Sequence, residues 1–116
     1  KGAHRPQAIG DSYVMRALAL AGWAPRLGSC VVCGEPVETS TAIYCSIAAG
    51  GVMCAADRTP EARKYDPATI RQFAALVRGD WDVLDAEALT GETRRLVEEW
   101  SEYYMERPIR SLRLLD

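Results

Sequence analysis

A mainly α-helical domain carrying one small inserted β-hairpin is the fold class this sequence predicts. Three observations predict it. Apolar residues recur at three- and four-residue spacings in the second half of the chain, first at Ile70, Phe73, Ala74 and Val77, then at Leu96, Val97, Trp100, Tyr103 and Tyr104. The stretch 41–47 is β-branched and aromatic, and Gly50-Gly51 follows it as a hairpin turn signal before Val52-Met53 returns. That hairpin lies between two short turns, Cys30-Val31-Val32-Cys33-Gly34 and Cys54-Ala55-Ala56-Asp57.

Residues 1–10 are polar and contain Pro6 and Gly10, so they read as a linker or the end of an upstream part. Residues 11–116 then read as a single domain with an insertion at 30–57. The start at Lys1-Gly2, without an initiator methionine, suggests a fragment or a processed chain. His4 is the only histidine, and in a linker it reads as a solvated side chain. Asp11-Ser12 supply N-cap chemistry for a helix over 13–21, with Val14, Leu18 and Ala21 on its apolar stripe and Gly22 ending it. Residues 57–65 are charged and irregular. Asp66-Pro67 is a strong helix start, a capping residue followed by proline at the first helical position, and Gly79 ends that helix. Asp80 caps a short helix carrying Trp81, Val83, Leu84 and Leu89. Thr90 opens the last long helix, in which Pro108 removes one hydrogen bond, so a kink or restart is expected there.

The chemistry concentrates in 30–57. A two-residue spacer lets two thiolates of one turn point at one ion, and a second turn alongside completes a tetrahedron, so the pattern is zinc-ribbon-like and implies one structural zinc ion. Cys30, Cys33 and Cys54 are three ligands by this spacing. The fourth position holds Asp57, whose carboxylate is a legitimate but harder ligand. Cys45 is the alternative fourth ligand, or it is a small buried hydrophobe in the strand. A decayed site without metal is the bland counterpart.

Elsewhere the sequence excludes more than it suggests. The chain has 116 residues, 48% hydrophobic and 26% charged, with a formal net charge of −2, so it is no broad electrostatic glove for nucleic acid. No Gly-rich phosphate loop is present, and the sole histidine leaves Ser-His-Asp or Cys-His catalysis little support. No signal-peptide pattern or membrane-length apolar run is read, which suggests a cytoplasmic chain whose paired cysteines bind metal or do redox work. Arg107, Arg110 and Arg113 recur every three residues. They read either as a solvated face at the negative end of a helix dipole or as a ridge for phosphate or an acidic tail. A C-x-x-C redox protein and a stand-alone zinc-ribbon nucleic-acid-binding module remain as alternative functions.

The run Leu18-Ala19-Leu20-Ala21-Gly22-Trp23-Ala24-Pro25, the Cys30–Gly34 turn, Ala48-Ala49-Gly50-Gly51-Val52-Met53-Cys54, and the ending Glu106-Arg107-Pro108-Ile109-Arg110-Ser111-Leu112-Arg113 together resemble the C-terminal part of the RecO family of DNA repair proteins. The likeness runs over 11–116. It implies a non-catalytic recombination mediator that acts with RecR to help load RecA onto single-stranded DNA coated by single-strand-binding protein, and that anneals complementary strands. It also implies that this chain is the helical and zinc portion, with the DNA-contacting OB-fold outside it. Cys30, Cys33 and Cys54 match that family's zinc ligands. The family's usual fourth cysteine falls at Asp57, and an aromatic residue usually stands where Cys45 is. A ligand moved to Cys45, a Cys3Asp site and a metal-free remnant are three ways to read the departure.

Overall fold

Proline at the first helical position pre-sets φ and wastes no hydrogen bond, and two helices start this way. In the computed structural model, which describes residues 4–37 and 43–115 and, for 106–115, the backbone alone, α1 is Pro6–Leu20 and α2 is Pro67–Arg78. A short α3, Trp81–Ala86, and a long α4, Gly91–Leu115, complete the helical part. The fold is mainly α with a small antiparallel sheet, as the patterning predicts.

Helix α1 corrects the reading of residues 1–10. It begins at Pro6, so residues 6–10 are helix, Ala8 is buried, and Asp11-Ser12 sit inside the helix instead of capping it. Gly10 lies within the helix and faces solvent, with nothing within 4 Å of where a Cβ would stand. The C-terminal end is as expected. Gly22 takes φ +99°, Gly22 N–H donates to the Ala19 carbonyl at 3.1 Å and Trp23 N–H to the Leu18 carbonyl at 2.8 Å, the paired bonds of a Schellman motif. His4 is no free solvated side chain either. Its ring stacks on Trp81 at 4.0 Å between centroids, and Nδ1 lies 2.8 Å from Asp85 Oδ2.

Helix α1 packs on α2 and α4, and α2 also packs on α4 and α3. The core between them holds Met15, Phe73, Leu76, Leu96 and Trp100, with Phe73 and Trp100 edge-to-face at 5.6 Å. One buried polar hub ties the layers. Gln72 Nε2 donates to the Ala88 carbonyl at 3.1 Å, and its Oε1 accepts from Thr90 N–H at 3.1 Å and Thr93 Oγ1 at 2.7 Å. Thr90 in turn caps α4, its Oγ1 accepting Thr93 N–H at 3.0 Å. At α2, Asp66 stands at the N-cap position without a side-chain cap bond, and Gly79 closes the helix at φ +72°. Helix α4 does not restart at Pro108 but runs through it, because one missing N–H leaves the rest of the ladder intact.

The sheet has three strands, β1 (Ile43–Ser46), β2 (Gly51–Met53) and β3 (Arg63–Tyr65), in the order β2-β1-β3. The β1–β2 hairpin is the predicted one, shorter than the expected 41–47, whose Thr41 and Ala42 lie outside the described residues. Strand β3 was expected to be irregular. It forms because β1 offers its second edge, with Ile43 opposite Tyr65, Tyr44 opposite Lys64 and Cys45 opposite Arg63. Tyr104 of α4 donates its hydroxyl to the Ile47 carbonyl, pinning the hairpin turn to the helical layer.

Two glycines give opposed expectations. At Gly51 an added Cβ would stand 2.1 Å from the Arg26 carbonyl oxygen, so Gly51→Ala should cost about 1–3 kcal/mol by overpacking. Gly10→Ala, in an exposed helix interior, should add about 0.5–1 kcal/mol. Urea denaturation of both variants checks this, and an unchanged midpoint for Gly10→Ala contradicts a helix beginning at Pro6.

Candidate metal centre

Each half of the centre is a tight turn closed by its own backbone. In the first, Cys30 N–H donates to the Glu35 carbonyl at 2.8 Å and Gly34 N–H to the Cys30 carbonyl at 2.9 Å, with Gly34 at φ +80°, a conformation that suits glycine. In the second, Cys54 leaves β2 and enters the 3-10 turn Ala55–Asp57, where Asp57 N–H donates to the Cys54 carbonyl at 3.1 Å. The two turns are far apart in sequence, and a backbone zipper joins them. Arg26 N–H donates to the Gly50 carbonyl, Val52 N–H to the Arg26 carbonyl and Val31 N–H to the Val52 carbonyl, each at 2.9 Å. Gly51 permits the approach because any side chain there would collide with Arg26.

The result brings together the four residues expected from spacing. One ligand atom from each of Cys30, Cys33, Cys54 and Asp57 lies within 4.8 Å of the others. Cys33 and Cys54 Sγ are 3.8 Å apart, and Cys30 Sγ is 3.7 Å from Asp57 Oδ2. A tetrahedral ion with bonds of about 2.3 Å to sulfur and about 2.0 Å to oxygen has S–S edges of about 3.8 Å and S–O edges of about 3.5 Å. The donor set therefore fits such an ion. One edge is tighter, since the Cys54 thiol donates to Asp57 Oδ2 at 2.9 Å. These four groups can hold a metal ion. Cys45 is not among them. It lies in the core cluster with Ile43, Val52 and Tyr65, and burial pushes its thiol up to about 12. The alternative fourth ligand thus falls on the apolar side of the sheet, where a thiolate is unfavourable.

Electrostatics in the cluster divide the thiols. Burial raises the Cys30 pKa, but backbone N–H groups at Cys33, Cys54 and Val32 outweigh it and bring the thiol down to about 7. The hydrogen bond to Asp57 holds the Cys54 thiol protonated, pushed up to about 12, and by the same contact lowers Asp57. An ion would replace that shared proton. The side chains of Arg107, Arg110 and Arg113 lie outside the described residues; their backbone is in α4. Sequence reasoning missed a further group. Tyr44 on β1 has the Arg58 guanidinium 5.1 Å and the Lys64 ammonium 6.0 Å from its ring centroid. Its signal was faint, because it depends on the unforeseen β3.

Fold and site together define a helical domain clasping a cysteine-rich β-ribbon. A family profile described as recombination protein O, C-terminal, matches residues 1–113, and the chain belongs to that family; it corresponds to the C-terminal part of RecO. It is 63% identical over 116 residues to the DNA repair protein RecO of Bifidobacterium longum strain NCC 2705, covering all of this chain and 47% of that one. To the protein of the same name from Bifidobacterium adolescentis it is 58% identical over 120 residues, covering all of this chain and 49% of the relative. To that of Thermobifida fusca it is 38% identical over 119 residues, covering all of this chain and 47% of the relative. The chain thus spans about half the length of the curated relatives it matches. No solved structure matches it.

Metal removal and ligand exchange test the centre. Cys30→Ala or Cys33→Ala should abolish one-to-one zinc uptake and cost several kcal/mol, because structural ions contribute folding energy outright, on the order of 10 kcal/mol for small zinc modules. Asp57→Cys should tighten zinc binding, and Cys45→Ala should leave the stoichiometry unchanged. Competition with a chromophoric chelator reads all four. Affinity should fall as pH falls, since Cys33 and Cys54 must lose protons to bind.

Proposed function

We propose that this chain is the non-catalytic C-terminal module of a cytoplasmic recombination mediator in DNA repair. In this reading it acts with RecR and single-strand-binding protein to help load RecA onto single-stranded DNA and to anneal complementary strands. The observation that carries the reading is the identity of 63% over the whole chain to a DNA repair protein RecO. The site supports a structural role for its ion, which we take to be zinc. Three thiolates and a carboxylate close a four-coordinate shell, and a closed shell keeps no position for substrate. The ion would then hold the ribbon against the helices, with no chemistry performed on it.

Among the described residues no helix is long and apolar enough to cross a membrane. In the proposed role α4 presents Arg107, Arg110 and Arg113 at its C-terminal end, where guanidinium groups suit phosphate or an acidic protein tail. The test is retention of purified RecR and purified single-strand-binding protein on the immobilised, zinc-loaded chain. Retention of at least one, weakened in the triple variant Arg107→Gln, Arg110→Gln, Arg113→Gln, is expected. Retention of neither overturns the proposal.

A further inference from the structure

The register of the small sheet sorts its side chains onto two faces. Directly paired residues share a face and neighbours along a strand alternate. Ile43 and Cys45 of β1, Val52 of β2 and Tyr65 of β3 face the core. Tyr44, with Lys64 opposite it on β3 and the buried Met53 opposite it on β2, therefore lies on the outer face, which is open on the β3 side. Arg58, just past the 3-10 turn, reaches the same ring, and its Nη1 donates to the Ala55 carbonyl at 2.7 Å, which fixes the base of its guanidinium.

These two cations have no carboxylate partner among the described residues. Arg63, beside Lys64 but on the other face, shows the contrast, since it pairs with Glu99 at 3.2 Å. In a chain of net charge −2, two unneutralised cations meet over one half-exposed aromatic ring. A groove of 360 Å³ lined by Ala55, Ala56, Arg58, Thr59 and Pro60 opens beside that guanidinium. An aromatic ring flanked by cations is the combination that holds single strands without sequence preference: the ring stacks a base while the cations take neighbouring phosphates.

We infer that Tyr44, Arg58 and Lys64 form a contact site for single-stranded nucleic acid on the outer face of the ribbon. The inference rests on the DNA-repair reading for the choice of ligand, and it names residues other than the arginines of α4. Lys64, at the long end of cation–π range and on a flexible stem, swings off the ring to admit a base. Arg58 directly follows Asp57, so an ion in the metal centre holds the turn from which Arg58 projects.

The probe is oligothymidylate, bound to the zinc-loaded chain and read by fluorescence anisotropy over a series of salt concentrations. Tyr44→Ala should weaken binding about tenfold or more, while Tyr44→Phe should hold it near wild type. Arg58→Gln with Lys64→Gln should lower the salt slope by about 1.4, or about 0.7 for each cation lost, and Arg78→Gln on α2 should change nothing. Thermal melts of each variant check folding. A measurement on the unaltered chain stands beside them: irradiation with 5-iodouracil-substituted oligothymidylate should cross-link Tyr44, located by peptide mass mapping. Cross-links that avoid Tyr44, or equal binding by all variants, overturn the site while leaving strand binding and the repair reading intact. No binding by the wild-type chain at low salt also overturns it, and retention of RecR or single-strand-binding protein then decides the repair reading separately.

Discussion

The run of backbone hydrogen bonds between Arg26–Val31 and Gly50–Val52 is the constraint on which the rest depends. Neither cysteine turn contains enough groups to hold an ion alone. Three N–H donors at 2.9 Å lay the first turn along β2, so Cys30 and Cys33 arrive beside Cys54 and Asp57. Gly51 sets how close the two strands of chain come. The metal centre is thus a consequence of backbone pairing, and an ion would lock a geometry that the backbone already approaches.

That ribbon is too small to be stable alone, since a two- or three-stranded sheet needs a supporting layer. The helices supply it through aromatic contacts. Trp100 donates its indole N–H to the Trp23 carbonyl at 3.1 Å, and Tyr104 stacks on Trp23 at 5.4 Å while bonding the Ile47 carbonyl. Trp23 lies on the chain that leads from α1 into the first cysteine turn. One face of α4 therefore grips both ends of the ribbon, and Phe73 joins that face to α2. Repacking in this aromatic row would be transmitted directly to the metal centre.

Features set by local chemistry were legible in the sequence. The two cysteine turns, the Asp66-Pro67 helix start, Gly79 and Gly22 as helix ends, and Thr90 as a cap each depend on a few adjacent residues. Features set by distant partners were not. Strand β3 has a charged sequence that pairs only because β1 leaves an edge free. Helix α1 passes through Gly10 because the burial of Ala8 and Met15 outweighs one glycine. The choice between Asp57 and Cys45 was open because it turns on sheet register, which places Cys45 opposite Val52 and Arg63 and inside the core. The Gln72 hub was invisible for the same reason, as its partners sit in the loop between α3 and α4 and in the first turn of α4.

Membership of the recombination protein O family, spanning 1–113, sets the frame in which this geometry has meaning. A carboxylate at the fourth position would give an ion a harder and weaker donor there, at Asp57, directly before Arg58. X-ray absorption at the zinc edge of the loaded chain tests the central claim most directly. Three sulfurs at about 2.3 Å and one oxygen at about 2.0 Å are expected. A shell of four sulfurs, which would require Cys45 to leave the core, contradicts the account.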